Sequence, residues 1–143
     1  MYKFSKTSKD RLATCNDNIQ KVINLAIKRT DVDFGIAEGH RPVERQQKLY
    51  AKGRTEPGNI VTYVDGVNNL SKHNKKPSDA VDIYAWVNGE AVWNGKYMAY
   101  LAGVITCCAK ELGIELTWGA NWNSNGELYS DQNFVDSPHY QTN

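Results

Sequence analysis

Apolar residues recur at helical spacing from Ser8 to about Arg29, at Leu12, Cys15, Ile19, Val22, Ile23, Ala26 and Ile27. The pattern predicts one amphipathic helix with Ser8 as its N-cap. Asp33-Phe34-Gly35-Ile36-Ala37 then alternates like a short half-buried strand. Gly39-His40-Arg41-Pro42 turns into a second helix, expected from Val43 to about Lys52 with Pro42 at its start and Gly53 at its end. From Arg54 to Asn69 the chain is rich in Gly, Pro, Asn and Asp, with one strand-like piece at Ile60 to Val64. It reads as a long, ordered surface loop, of the kind that borders a site. Ala80 to Trp86 is the strongest strand pattern, and Asn88-Gly89 signals a two-residue hairpin returning through Glu90 to Trp93. Lys96 to Leu112 is a third helix closed by Gly113. Glu115 to Trp118 reads as a strand, a polar loop runs to Asp136, and His139 to Gln141 forms a last short strand. The expected class is α+β, with about three helices and a small, mostly antiparallel sheet in a single domain over 1–143.

Composition narrows the function classes. A chain of 143 residues is close to the commonest size of one domain, and 41% hydrophobic with 23% charged residues is ordinary for a globular protein. The net charge is +1 and the basic residues form no run, so nothing marks nucleic acid as a partner. Met1 to Lys6 lead into Lys9, Asp10 and Arg11 without an apolar stretch, so no secretory signal peptide and no membrane insertion are expected. Cys15, Cys107 and Cys108 are odd in number and two are adjacent, which fits buried thiols better than a disulfide framework; core packing is expected for all three. Of Trp86, Trp93, Trp118 and Trp122, at least two are expected in the core, the other reading being sugar-stacking platforms.

The chemistry concentrates around the histidines at 40, 73 and 139. His73 opens a loop that Pro77-Ser78 closes, so it can double back onto a side chain at the start of the strand beginning near Ala80. Asp79 and Asp82 are three apart and point to opposite faces, so only one can be a ligand while the other stays in solvent. Asp82, between Val81 and Ile83, is an acid embedded in apolar strand and must be paired or coordinate a metal. In Asp136-Ser137-Pro138-His139 an acid and a strand-leading histidine can converge on one point. Either segment alone reads more often as structure, a lone loop histidine being usually solvated or satisfied. Together, His73, Asp82 and His139 supply the three ligands of an open catalytic zinc site, and Asp136 stays free to take a proton from the bound water. Asn121-x-Asn123-x-Asn125-Gly126-Glu127 is similar to half a calcium loop, but it lacks a leading Asp and a clear closing Glu; an Asn-rich turn is the other reading.

These residues resemble the zinc peptidases of the D-alanyl-D-alanine carboxypeptidase and phage L-alanyl-D-glutamate endopeptidase group, which share the hedgehog fold. Ser71-Lys72-His73 with Asp79-Ala80-Val81-Asp82, Asp136 to His139, Gly39-His40-Arg41-Pro42 with Gln46, Leu49-Tyr50 to Gly53-Arg54, and Trp118-Gly119-x-x-Trp122 carry the likeness over about residues 34–143. His73 and Asp82 stand nine apart rather than the usual seven, the family glycine is replaced near Pro77-Ser78, Asn121 stands where Asp is common and His40 where Tyr is common. The resemblance implies a hedgehog/DD-peptidase-like fold, a zinc cofactor and hydrolysis of an amide in the peptidoglycan stem peptide. It further implies that Asp136 acts as base, that Arg41 contacts a substrate carbonyl or carboxylate, and that His40 is a pocket wall. For Arg41, a surface arginine paired with Glu38 or Glu44 is the rival. The favoured activity is an L-alanyl-D-glutamate endopeptidase, a monomeric phage lysis enzyme kept in the host cytoplasm until a pore protein releases it to the wall. The alternatives are a D-alanyl-D-alanine carboxypeptidase or dipeptidase, and a non-catalytic zinc-stabilised binding module.

Overall fold

The computed structural model describes residues 1–129 and 135–143. In chain order it holds α1 (Lys6–Leu12), α2 (Asp17–Arg29), β1 (Phe34–Glu38), α3 (Val43–Ala51), a 3-10 turn (Lys72–Asn74), β2 (Ala80–Val87), β3 (Glu90–Val92), α4 (Gly95–Glu111), β4 (Thr117–Trp118) and β5 (His139–Gln141). The five strands form one antiparallel sheet in the order β1-β2-β5-β4, with β3 paired to the far half of β2. Asn88 and Gly89 both take positive φ, 52° and 78°, which is the turn an Asn-Gly pair favours between two twisted strands.

Strand β2 organises the molecule. Val81, Ile83 and Ala85 are buried and join one core cluster with Ile19, Val22, Ile23 and Ala26 of α2 and Met98, Leu101 and Ile105 of α4. Asp82, Tyr84 and Trp86 alternate with them and so project from the opposite face. The alternation therefore puts packing on one side of the sheet and chemistry on the other.

The N-terminal segment departs from expectation. The single helix expected from Ser8 is two helices, giving four α-helices among the described residues. Ser5 rather than Ser8 caps α1, and Asn16 caps α2 by accepting the Ile19 N–H at 2.9 Å. Thr and Asn compete with the helix for backbone groups, which explains a break at Thr14 to Asn16. The freed backbone is used elsewhere: Ser78 N–H donates to Thr14 O at 2.8 Å and Asn16 N–H to Ser78 O at 2.9 Å. Asn16 Nδ2 also donates to Asp79 Oδ1 and to Thr142 Oγ1. This junction thus ties α2, the approach to β2 and the C-terminal segment together.

Other differences have local causes. Ile60 to Val64 forms no strand, because side chains take its carbonyls: Arg54 Nη2 donates to Thr62 O and Gln46 Nε2 to Val64 O. Strand β4 is only two residues long, matched to the short β5 it pairs with. Cys15 and Cys108 are buried but Cys107 is exposed, since Cys107 stands about 200° round α4 from the buried Ile105 and so faces away from the core. Burial pushes the Cys15 thiol up to about 12. Of the tryptophans only Trp118 is buried; Trp122 is half-buried, and Trp86 and Trp93 are exposed. No helix among the described residues is long and apolar enough to cross a membrane.

The junction generates a prediction. Asn16→Ala removes a helix cap and two longer-range hydrogen bonds, so urea unfolding should show a loss of about 2–3 kcal/mol. A change within about 0.5 kcal/mol, the range of an ordinary surface substitution, would remove this residue from the scaffold.

Candidate active site

The 3-10 turn presents His73. Ser71 caps it, accepting the His73 N–H, while Asn74 Oδ1 accepts the Ser71 N–H. Arg41 N–H donates to the His73 carbonyl at 2.7 Å and Asn74 Nδ2 to the Arg41 carbonyl at 2.9 Å, so the two loops are stitched together. The nine-residue spacing from His73 to Asp82 is absorbed in the intervening turn, where Ser78 Oγ donates to Ala80 O. Register does the rest, because Asp82 of β2 lies directly opposite His139 of β5.

The result is a tight triangle. His73 Nε2 stands 3.2 Å from Asp82 Oδ1, His139 Nδ1 stands 3.1 Å from the same oxygen, and the two nitrogens are 3.3 Å apart. His73 is fully buried and His139 nearly so. Both tautomers follow from the outer partners. His73 Nδ1 lies 2.7 Å from the Gly39 carbonyl and must donate to it, leaving the Nε2 lone pair facing inward. His139 Nε2 donates to Gln141 Oε1 at 2.9 Å, leaving the Nδ1 lone pair facing inward. Ligands about 2.0–2.1 Å from a tetrahedral ion lie roughly 3.3 Å from one another. The donor set therefore fits zinc in chemistry and in spacing, and it is the only such cluster among the described residues.

With protons rather than a metal on the inner nitrogens, burial pushes the Asp82 carboxyl up, but the charge of His73 and the hydrogen bonds that both imidazoles then donate outweigh it and hold the group well below the usual carboxylate range. Burial disfavours a charged His139, and its bond to Asp82 reverses the sign and raises it. Asp136 is pushed up, first by burial and then by the charge of Asp82. Its carboxylate stands 3.9 Å from His139 Nδ1, outside the triangle. Its backbone is fixed by Gly119, whose carbonyl accepts the Asp136 N–H at 2.8 Å. A Cβ at Gly119 would lie 2.1 Å from the Asp136 carbonyl oxygen, so this approach needs glycine. Trp118 Nε1 donates to Ser137 O at 2.7 Å and locks the same turn.

Arg41 is neither a surface residue nor a free one. Its guanidinium is buried, paired through Nε with Glu38, and its Nη1 donates to Gln46 Oε1 at 2.9 Å. Nη2 lies 3.6 Å from Asp82 Oδ2, holding the carboxylate oxygen that faces away from the histidines. Gln46 in turn donates to Thr62 Oγ1 and Val64 O, which fastens the long loop. That loop does wall the cleft: a depression of about 530 Å³ is lined by Val61 to Val64, Leu70 to His73, Arg41, Asp82, Asp136 and His139. His40 is outside it. Its Nδ1 binds the Lys75 carbonyl and it borders a neighbouring hollow instead, so the pocket-wall expectation is corrected. Asp79 points away from the triangle as expected, yet it is bonded to Asn16 and Lys75 rather than left in solvent. In the Asn121–Glu127 loop, Asn121, Asn123 and Asn125 oxygens accept backbone N–H groups of the loop itself.

Sequence reasoning missed Gln141 and the cleft role of Trp122, whose ring centroid is 5.4 Å from that of His139. The signal for Gln141 was available, because a residue two after a strand histidine shares its face.

Comparison with known proteins finds similarity to L-alanyl-D-glutamate peptidases. A family model described as phage L-alanyl-D-glutamate peptidase matches residues 1–142. The chain is 30% identical over 131 residues to the L-alanyl-D-glutamate peptidase of Escherichia phage T5, covering 91% of this chain and 88% of that one. It is 29% identical over 124 residues to the peptidoglycan L-alanyl-D-glutamate endopeptidase CwlK of Bacillus subtilis, covering 83% of this chain and 66% of the relative. The crystal structure of the Serratia marcescens L-Ala D-Glu endopeptidase ChiX superposes with a TM-score of 0.72 at 27% identity, over 98% of this chain and 89% of that one.

The outer hydrogen bonds predict a measurable effect. Gln141→Leu should weaken zinc binding about 10–100-fold in competition with a chromophoric chelator, the usual cost of losing a partner that orients a ligating histidine. Unchanged affinity would mean that the His139 tautomer is set by something else.

Proposed function

The chain belongs to the phage L-alanyl-D-glutamate peptidase family and is a peptidoglycan peptidase, and from that premise we propose a zinc-dependent reaction at the His73–Asp82–His139 triangle. The observation that carries the reading is the convergence of two imidazole lone pairs and one ionised carboxylate beside a carboxyl whose pKa is raised. His73 Nε2, His139 Nδ1 and Asp82 would hold the ion. Bound there, zinc supplies a polarised scissile carbonyl and a water acidified to about pKa 7.

The chain's own residues do the rest. Asp136 takes a proton from the attacking water and returns it to the leaving amine, a role suited to a carboxyl that burial shifts upward. Arg41 keeps N–H groups beyond those given to Glu38, Gln46 and Asp82, and it lines the cleft, so it can bind a substrate oxygen while holding Asp82 in place. Because Arg41 is buried, replacing it should cost stability as well as activity, since Glu38 and Gln46 lose a partner. The Val61–Val64 wall and Leu70 line the cleft along which the stem peptide would lie. The likeness to the phage T5 protein supports a lytic role, exercised by a single catalytic domain acting as a monomer once it reaches the wall.

Three experiments test this. Incubation with purified sacculi should yield new glutamate N-termini by mass spectrometry, with free D-alanyl-D-alanine untouched; free D-alanine without a new glutamate amine would overturn the bond assignment. Asp136→Ala should keep its zinc while turnover falls by roughly two to four orders of magnitude. His73→Ala should instead lose the metal, and full zinc occupancy in that variant would refute the ligand set.

A further inference from the structure

Three aromatic side chains lie on the chemistry-bearing face of the sheet but outside the cleft. Tyr84 and Trp86 project from β2 on the same side as Asp82, two and four residues further along, or roughly 7 and 13 Å. Trp93 follows β3, which pairs with the far half of β2. Its ring centroid is 6.0 Å from that of Tyr84, and Tyr84 is 6.3 Å from Trp86. Trp86 is 44% and Trp93 54% exposed, so neither is spent on the core. Clustered large rings facing water mark an interaction surface more strongly than scattered ones do.

Beside this group is a hollow of about 370 Å³, with Tyr84 and Trp86 as apolar walls and Lys3, Ser5 and Asp33 as polar lining. Flat apolar faces combined with a few edge acceptors and donors suit a pyranose, whose C–H face stacks while its hydroxyls and acetamido group hydrogen-bond. An extended peptide would seek a strand edge, and here the outer edge of β1 is already engaged by α1, with Ile36 N–H donating to Ser8 Oγ and Ile36 O accepting from Arg11 Nη1. A nucleic acid would need clustered cations, and Lys3 is the one cation in the lining.

We propose that the Tyr84–Trp86–Trp93 surface and its hollow form a glycan subsite that binds an N-acetylated hexosamine of the peptidoglycan strand while the attached stem peptide occupies the cleft. The proposal rests on the peptidase reading above and extends it. The bond between L-alanine and D-glutamate is separated from the sugar by the alanine and the lactyl ether, about two residue lengths or roughly 7 Å of extended chain. Tyr84 lies at that offset from Asp82 along β2. The sugar nearest the scissile bond can then stack on the aromatic group, which positions the peptide and favours glycan-attached substrate over free peptide.

The test uses sugar binding without catalysis, together with a kinetic comparison. The 15N-labelled protein is titrated through the millimolar range with the β-1,4-linked tetramer of N-acetylglucosamine. The indole N–H signals of Trp86 and Trp93 should shift and that of the buried Trp118 should stay still; immobile Trp86 and Trp93 signals would overturn the proposal. In parallel, the Trp86→Ala/Trp93→Ala double variant should lose roughly tenfold in kcat/KM on intact sacculi, as expected for two stacking contacts. Its rate on the free stem peptide should match the parent's. Equal loss on both substrates would make the tryptophans structural and refute the subsite. Failure of the parent protein to release glutamate amines from either substrate would refute the peptidase reading instead, and the oligosaccharide titration would still decide the subsite.

Discussion

A carboxylate placed in the middle of an apolar strand has to be met by positive charge or by donors, since an isolated buried charge is too costly to keep. Asp82 is that group, and much of the structure answers to it. One oxygen faces two imidazoles and the other faces the Arg41 guanidinium. The imidazoles are held with lone pairs inward by the Gly39 carbonyl and by Gln141, so without protons or a cation the triangle would bring three electron-rich atoms within 3.3 Å of one another. The arrangement makes sense as a cation site, with the Asp136 carboxylate near it but outside the triangle.

Holding such a cluster demands a rigid surround, and it comes from loops pinned by side chains. The break between α1 and α2 gives Thr14 and Asn16 to the approach of β2, and Gln46 fixes both Arg41 and the long loop through fully used amide groups. Gly119 lets β4 press against the Asp136 turn. Loops held in this way can present ligands with the precision usually found on helices and strands.

Much of this was legible in the chain itself. Alternation identified β2 with its buried acid, the Asn-Gly pair identified the hairpin, and histidines near acids identified the triangle, because each of these is a local signal. What could not be read depended on distant partners. The helix broke at Thr14 to Asn16 because Ser78, more than sixty residues away, competes for its backbone. Ile60 to Val64 has strand composition, but its carbonyls are taken by Arg54 and Gln46. Arg41 seemed a choice between substrate contact and surface pairing, and only the fold shows it buried with Glu38 and turned toward Asp82. At least two of the four tryptophans were expected in the core, but only Trp118 is buried, and Trp86 stands on the sheet face that carries the site.

Anomalous diffraction from crystals of the zinc-loaded protein, with data on both sides of the zinc edge, tests the central claim most directly. The account predicts one strong peak bonded to His73 Nε2, His139 Nδ1 and Asp82, with Asp136 close by but outside the ligand set. A peak that includes Asp136 as a ligand, that uses the opposite ring nitrogens, or that lies away from Asp82 would contradict it.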